Sequence, residues 1–110
     1  MRAVVDEGVP RDLVGLLRGR GHDVHGFPKA WKGTKNGCLL KLIEHNGFEC
    51  LVTTDKNLTH QQNLADVRLS IIVLPVQKLE ILESHVELIA ESLQTQAPGC
   101  VYLLRFPSQA

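Results

Sequence analysis

Short apolar runs alternate with longer amphipathic segments along the chain, and the alternation predicts strands and helices in turn. RAVV (2–5) reads as a first strand. VPRDLVGLLRGRG (9–21) follows as a helix, with Pro10 in its first turn and Gly21 as an end signal. HDVHGF (22–27) is a short second strand, and NGCLLKLIEHNG (36–47) a compact helix that closes on Asn46-Gly47. FECLVTT (48–54) is a third strand whose apolar centre calls for cover on both faces, and LSIIVLPV (69–76) is the fourth and most hydrophobic. KLEILESHVELIAESLQTQ (78–96) has the spacing of one long helix, with Leu79, Leu82, Val86, Ile89 and Leu93 turned inward. Its Glu80, Glu83, Glu87 and Glu91 form a second stripe, expected to be solvated. CVYLLRF (100–106) closes as a fifth strand after the Pro98-Gly99 turn.

Strand–helix alternation of this kind implies an α/β fold with a mostly parallel sheet of about five strands and right-handed crossovers. The first, third and fourth strands are apolar enough to be central, so the expected order is 2-1-3-4-5. A ligand site in such a sheet lies beyond the carboxyl ends of the strands, where the order reverses. That places Asp6 and Glu7, at the end of strand one, beside Asp55, at the end of strand three.

Carboxylates brought together repel unless a cation or a hydrogen-bond donor compensates. A hard divalent ion, Mg²⁺ or Mn²⁺, is the usual partner of such oxygen ligands, with Asp6 and Asp55 as the primary pair. The competing reading is local: each Asp caps the helix that follows it. Around the acids, Arg11 is expected to project toward the same rim and Lys56 to engage a phosphate or simply to be solvated. The loop FPKAWKGTKNG (27–37) interleaves lysines, Lys35 among them, with Trp31, as a single-strand nucleic-acid site would. The alternative is that Trp31 anchors the loop on the edge of the core. Gln61, Gln62 and Asn63 do not titrate and so are substrate contacts or turn caps; His60 is a loop histidine able to shuttle a proton near neutral pH.

Composition narrows this only modestly. The 110 residues allow one domain, 1–110, and 44% are apolar, as in globular proteins. No run is long enough to span a bilayer, and Asp6 and Glu7 interrupt any signal-like core, so a cytoplasmic protein is expected. Net charge is zero, yet 29–41 carries Lys29, Lys32, Lys35 and Lys41 and no acid. Three cysteines (Cys38, Cys50, Cys100) without a CxxC pair suggest neither a disulfide framework nor a zinc site, and Cys50 and Cys100 are expected to be buried thiols. No HExxH is present, and His22 and His25 should point to opposite faces of their strand. Ile81 and Leu88 lie off the main stripe of the last helix, which suggests a partner or a homodimer.

Three stretches, VVDEGVPRDLVGLLRGRGHDV, WKGTKNGCLLKLIEHNGFECLVTTDKNL and HQQNLADVRLSIIVLP, resemble the small bacterial PIN-like proteins of the DUF5615 family, which are related to toxin-type PIN ribonucleases. The resemblance covers roughly residues 1 to 95. It implies a three-layer α/β/α sandwich and Mg²⁺- or Mn²⁺-dependent cleavage of RNA, with Asp6, Glu7 and Asp55 as ligands. It further implies an antitoxin protein as a partner. The chain departs from the pattern in carrying Cys38 where relatives have an acid after KNG, and Asn57 where other branches have a second Asp. Glu44 lies two turns along its helix, too far to replace the missing acid. One Mg²⁺ completed by water and Asn57 is then the expected set, and a weakened module that binds RNA or a protein without cutting is the alternative. Response-regulator receivers share the Asp6, Glu7 and Asp55 placement, but Pro75 and Arg105 stand where receivers carry Ser/Thr and Lys.

Overall fold

The computed structural model describes residues 2–58 and 68–107. Five strands form one parallel sheet in the order β2-β1-β3-β4-β5: β1 (Ala3–Val5), β2 (Val24–His25), β3 (Cys50–Thr53), β4 (Ser70–Val73) and β5 (Val101–Leu103). This is the order expected from the apolar content of the strands. The reason is visible in burial, since β1, β3 and β4 are buried at every position whereas β5 is not.

The period of two along each strand divides the core. Ala3, Val5, Cys50, Val52 and Ile72 face one layer, where they meet Leu13 and Leu17 of α1 (Asp12–Arg18). Leu82 of α3 (Leu79–Ser84) and Val86, Ile89 and Leu93 of α4 (Val86–Thr95) complete that layer. Val4, Leu51, Ile71 and Val73 face the other, against Leu39, Leu40 and Ile43 of α2 (Asn36–His45) and Trp31 of a 3-10 turn (Lys29–Trp31). The fold is therefore a three-layer α/β/α sandwich.

Local chemistry sets the helix ends. The first turn of α1 starts from Pro10, whose carbonyl accepts the Leu13 N–H at 3.1 Å. At the end of α2, Gly47 takes φ +85°, a conformation that a side chain would strain. Its N–H reaches the Glu44 carbonyl at 3.0 Å, and the Phe48 N–H reaches Ile43 at 3.3 Å. Phe48 and Ile43 also share a core layer, so the turn aims the chain directly into β3.

The long helix expected over 78–96 is two helices broken at His85, which has φ −117° and ψ 20°. Continuous helix would send the His85 N–H to the Ile81 carbonyl. That carbonyl is occupied instead by side chains, with Ser84 Oγ at 2.8 Å and His85 Nδ1 at 2.9 Å, and the His85 N–H turns to Leu82 at 3.1 Å. The imidazole then lies flat on Phe106, with ring centroids 4.2 Å apart. Period alone could not reveal the break, because Leu82, Val86, Ile89 and Leu93 are buried on both sides of it. Of the acidic stripe, Glu87 is tied to Arg20 of the segment after α1 at 2.6 Å.

A second correction concerns the thiols. Cys50 is buried as expected, but Cys100 is exposed because it opens the edge strand. Burial pushes the Cys50 thiol from 9.0 to about 12, against a weak opposing bond to Gln96 Oε1 at 3.4 Å. A raised folded-state value means the unfolded chain ionises first, so this thiol contributes stability that declines as pH rises from 9.0 toward about 12. No helix among the described residues is long and apolar enough to cross a membrane.

Titration of the native protein with a thiol-reactive chromogen near pH 8 should therefore count two fast thiols, Cys38 and Cys100. The third should appear only in denaturant. Three fast thiols in the native protein would contradict the burial of Cys50.

Candidate functional site

Parallel pairing of β1 with β3 carries Val5 beside Val52, and the ladder runs one step further, with the Asp6 N–H donating to the Val52 carbonyl at 2.8 Å. Asp6 is thereby held opposite Thr53, the last residue of β3. The Thr53 hydroxyl donates to Asp6 Oδ2 at 2.7 Å and accepts the Asp55 N–H at 3.1 Å. Thr53 is completely buried, and its hydroxyl finds both partners within the protein. One hydroxyl thus ties the carboxylate of the first strand to the backbone that presents the carboxylate of the third.

Each aspartate also makes one local bond. Asp6 Oδ1 accepts the Glu7 N–H at 2.9 Å, and Asp55 Oδ1 accepts the Asn57 N–H at 2.9 Å in a tight polar turn. Asp6 does not cap α1: the cap position is Arg11, with no side-chain bond. The turn at Asp55 resembles a cap at one oxygen only. Gly8 brings the same rim close, since a Cβ there would sit 3.3 Å from Thr54 Oγ1.

Beside Asp6 opens a cleft of about 270 Å³ over Phe27, lined by Asp6, Glu7, Arg11, Lys29 and Lys32. Arg11 is therefore at the rim as the sequence suggests, together with two lysines of the basic loop. Glu7 is exposed at its mouth. Lys35 is exposed at the cap of α2 and lies outside that cleft. Lys56 and Asn57 are exposed past Asp55, where Lys56 lines a different cleft with Arg105.

Trp31 takes the anchoring role of the two weighed for it. It is 9% exposed and packed edge-on against Phe27 and Phe48, each 5.9 Å away, so its face is not offered to a base. Glu44 is remote from the rim as expected, at the other end of α2, where it accepts the Arg68 N–H. Cys38 is exposed in the first turn of α2. His60, Gln61, Gln62 and Asn63 lie outside the described residues.

Among the described residues no group of three His, Cys, Asp or Glu side chains is placed to hold a metal ion. The donors on the rim are carboxylates and a hydroxyl, hard oxygens that suit Mg²⁺ or Mn²⁺ rather than zinc. Two carboxylates are the number that a single Mg²⁺ keeping its waters takes from a protein; a two-metal site needs more.

Thr53 is the residue that sequence reasoning missed. Its signal was the strand register, because the residue opposite Asp6 had to be a β3 residue two positions before Asp55. Compared with protein-family models, curated proteins and solved structures, the chain matches none of them.

Replacing Thr53 by valine keeps the shape and removes both bonds. The expected loss is about 1–3 kcal/mol in urea unfolding, since the Asp55 N–H is left without its acceptor. Asn57→Ala, which removes only an exposed side chain, should stay within about 0.5 kcal/mol. Equal effects of the two substitutions would mean that the Thr53 bridge is not structural.

Proposed function

We propose that this rim binds the phosphodiester backbone of RNA through one divalent cation, Mg²⁺ or Mn²⁺, shared by Asp6 and Asp55, and hydrolyses it. The carrying observation is the Thr53 hydroxyl, which ties the Asp6 carboxylate to the Asp55 backbone across the β1–β3 junction. That junction is where strand order reverses, the usual site of ligand binding in a parallel sheet. When bound, the cation would neutralise charge on the phosphate and acidify a bound water.

The chain's own groups divide the remaining work. Asp6 and Asp55 supply negative charge at fixed positions, and Thr53 sets the orientation of Asp6 by occupying Oδ2 from the core side. Glu7, exposed beside them, is placed to accept a proton or a water hydrogen bond. Arg11, Lys29 and Lys32 line the adjoining cleft and would hold the phosphates that flank the scissile one. The resemblance to toxin-type PIN ribonucleases points the same way, with an antitoxin as the natural protein partner.

A second reading has its own support. With no three-acid group among the described residues and an exposed thiol at Cys38, the rim has the makings of a module that holds RNA or a protein without cutting it. Exposed Ile81, beside the half-buried Leu88, would serve a protein contact or a homodimer.

Incubation of a mixed-sequence single-stranded RNA with Mn²⁺ separates the two. On the leading reading, cleavage is stimulated by Mn²⁺, abolished by EDTA, and lost in both Asp6→Asn and Asp55→Asn. Thr53→Val should weaken Mn²⁺ binding on the order of 10-fold, as loss of a ligand-orienting partner does. Cleavage that persists in EDTA would overturn the metal assignment. Mn²⁺-independent RNA binding without cleavage would establish the second reading.

A further inference from the structure

The rim carries a second cleft, on the far side of the aspartates from Arg11, Lys29 and Lys32. It measures about 270 Å³ and lies at the carboxyl ends of β4 and β5. Its walls are apolar, from Val73, Leu74, Pro75, Leu103 and Leu104, and among the described residues its charged lining is Lys56 and Arg105. The backbone that shapes it is well tied: the Leu74 N–H reaches the Thr53 carbonyl at 2.7 Å, and the Leu104 N–H reaches Val73 at 2.9 Å. The walls of the cleft are thus extensions of the ladder that holds the aspartates.

The two cations have no other duty that the structure records. Elsewhere, Arg2 lies over the Phe48 ring at 4.4 Å and bonds the Asn46 carbonyl, Arg18 holds the Val24 carbonyl, and Arg20 pairs with Glu87. Among the described residues Lys56 and Arg105 enter no ion pair and no carboxylate lines their cleft. Two cations at the lip of an apolar pocket complement a group with an anionic part and a flat apolar part. A nucleotide within a single strand is such a group: its base can enter the pocket while its phosphate stays at the lip.

We infer that the Lys56–Arg105 cleft is a second subsite for single-stranded RNA, seating one unstacked base on Pro75 and Leu103, with Lys56 and Arg105 each holding one of the two phosphates that flank its nucleotide. The strand would cross the rim from Lys29 and Lys32, over Asp6 and Asp55, to Arg105. Four strand spacings of about 4.8 Å make that path roughly 19 Å, enough for a few nucleotides. A duplex could not use the subsite, because its bases are stacked and paired. The inference rests on the RNA reading of the rim but not on cleavage or on a metal.

Binding in EDTA tests it independently of catalysis. Anisotropy of a short fluorescein-labelled oligouridylate would be followed as a function of salt for the native chain and for Arg105→Ala, Lys56→Ala, Leu103→Ser and Arg68→Ala. Arg68 lies at the opposite edge of the sheet, just before β4, and is the charge-matched control. Arg105→Ala and Lys56→Ala should each lower the slope of log affinity against log salt by about 0.7, the value for one phosphate contact to a single strand. Leu103→Ser, at a position already 64% exposed, should weaken binding several-fold without altering that slope. Arg68→Ala should leave both unchanged. Equal losses from Arg105→Ala and Arg68→Ala, or equal affinity for a duplex of the same length, would overturn the subsite. Absence of RNA binding both in EDTA and with Mn²⁺ added would sink the RNA reading itself, whereas binding insensitive to Arg105 would sink only the subsite.

Discussion

Val5 and Val52 lie side by side at the middle of the sheet, and the register they set decides where the remaining elements go. From β1 the chain passes outward through α1 to β2 on one side, then returns with α2 on the opposite face to β3 on the other. Both central strands are therefore covered twice, and only strongly apolar sequences suit those places. The same register carries the ladder one residue past Val5, which is how Asp6 comes to face Thr53. A slip by one residue would exchange the two faces of β1, sending Ala3 and Val5 into the layer that Val4 fills, so the site geometry and the core are protected by the same constraint.

The two edges of the sheet have different chemistry. At the amino-terminal edge, polar groups are matched within the fold: Glu44 accepts the Arg68 N–H, and Glu49 accepts the Arg2 N–H at 3.2 Å. At the carboxyl-terminal edge, the exposed cations Arg11, Lys29, Lys32, Lys56 and Arg105 enter no ion pair among the described residues. They stand on either side of Asp6, whose carboxylate is oriented from below by Thr53, and Asp55, whose backbone the same hydroxyl holds. Charges left in water in this way contribute little to stability, and the proposed binding role rests on their placement along one rim. A chain with zero net charge can thus carry a locally basic track without a global field.

The break at His85 and the exposed β5 both arise at the last stretch of chain. Ser84 and His85 take over the Ile81 carbonyl, and the freed imidazole stacks on Phe106, which extends from β5. That contact links the helical layer to the segment after the edge strand and so steadies a strand that buries little of its own surface. Val101 and Leu103 remain 37% and 64% exposed because, among the described residues, no sixth strand or helix covers them.

Much of this architecture was legible in the residues. Alternating apolar runs of two kinds of period announce strands and helices, and the apolar content of RAVV, FECLVTT and LSIIVLPV marks them as central, from which the strand order follows. The acids at the ends of β1 and β3 were legible for the same reason, since topology brings those ends together. Tertiary structure decided what depends on neighbours distant in sequence. Trp31 became a core residue because Phe27 and Phe48 surround it, and Cys100 became exposed because it leads into the outer strand. Thr53 acquired its bridging role because a hydroxyl acts only on what stands opposite, and periodicity along one segment carries no information about the segment beside it.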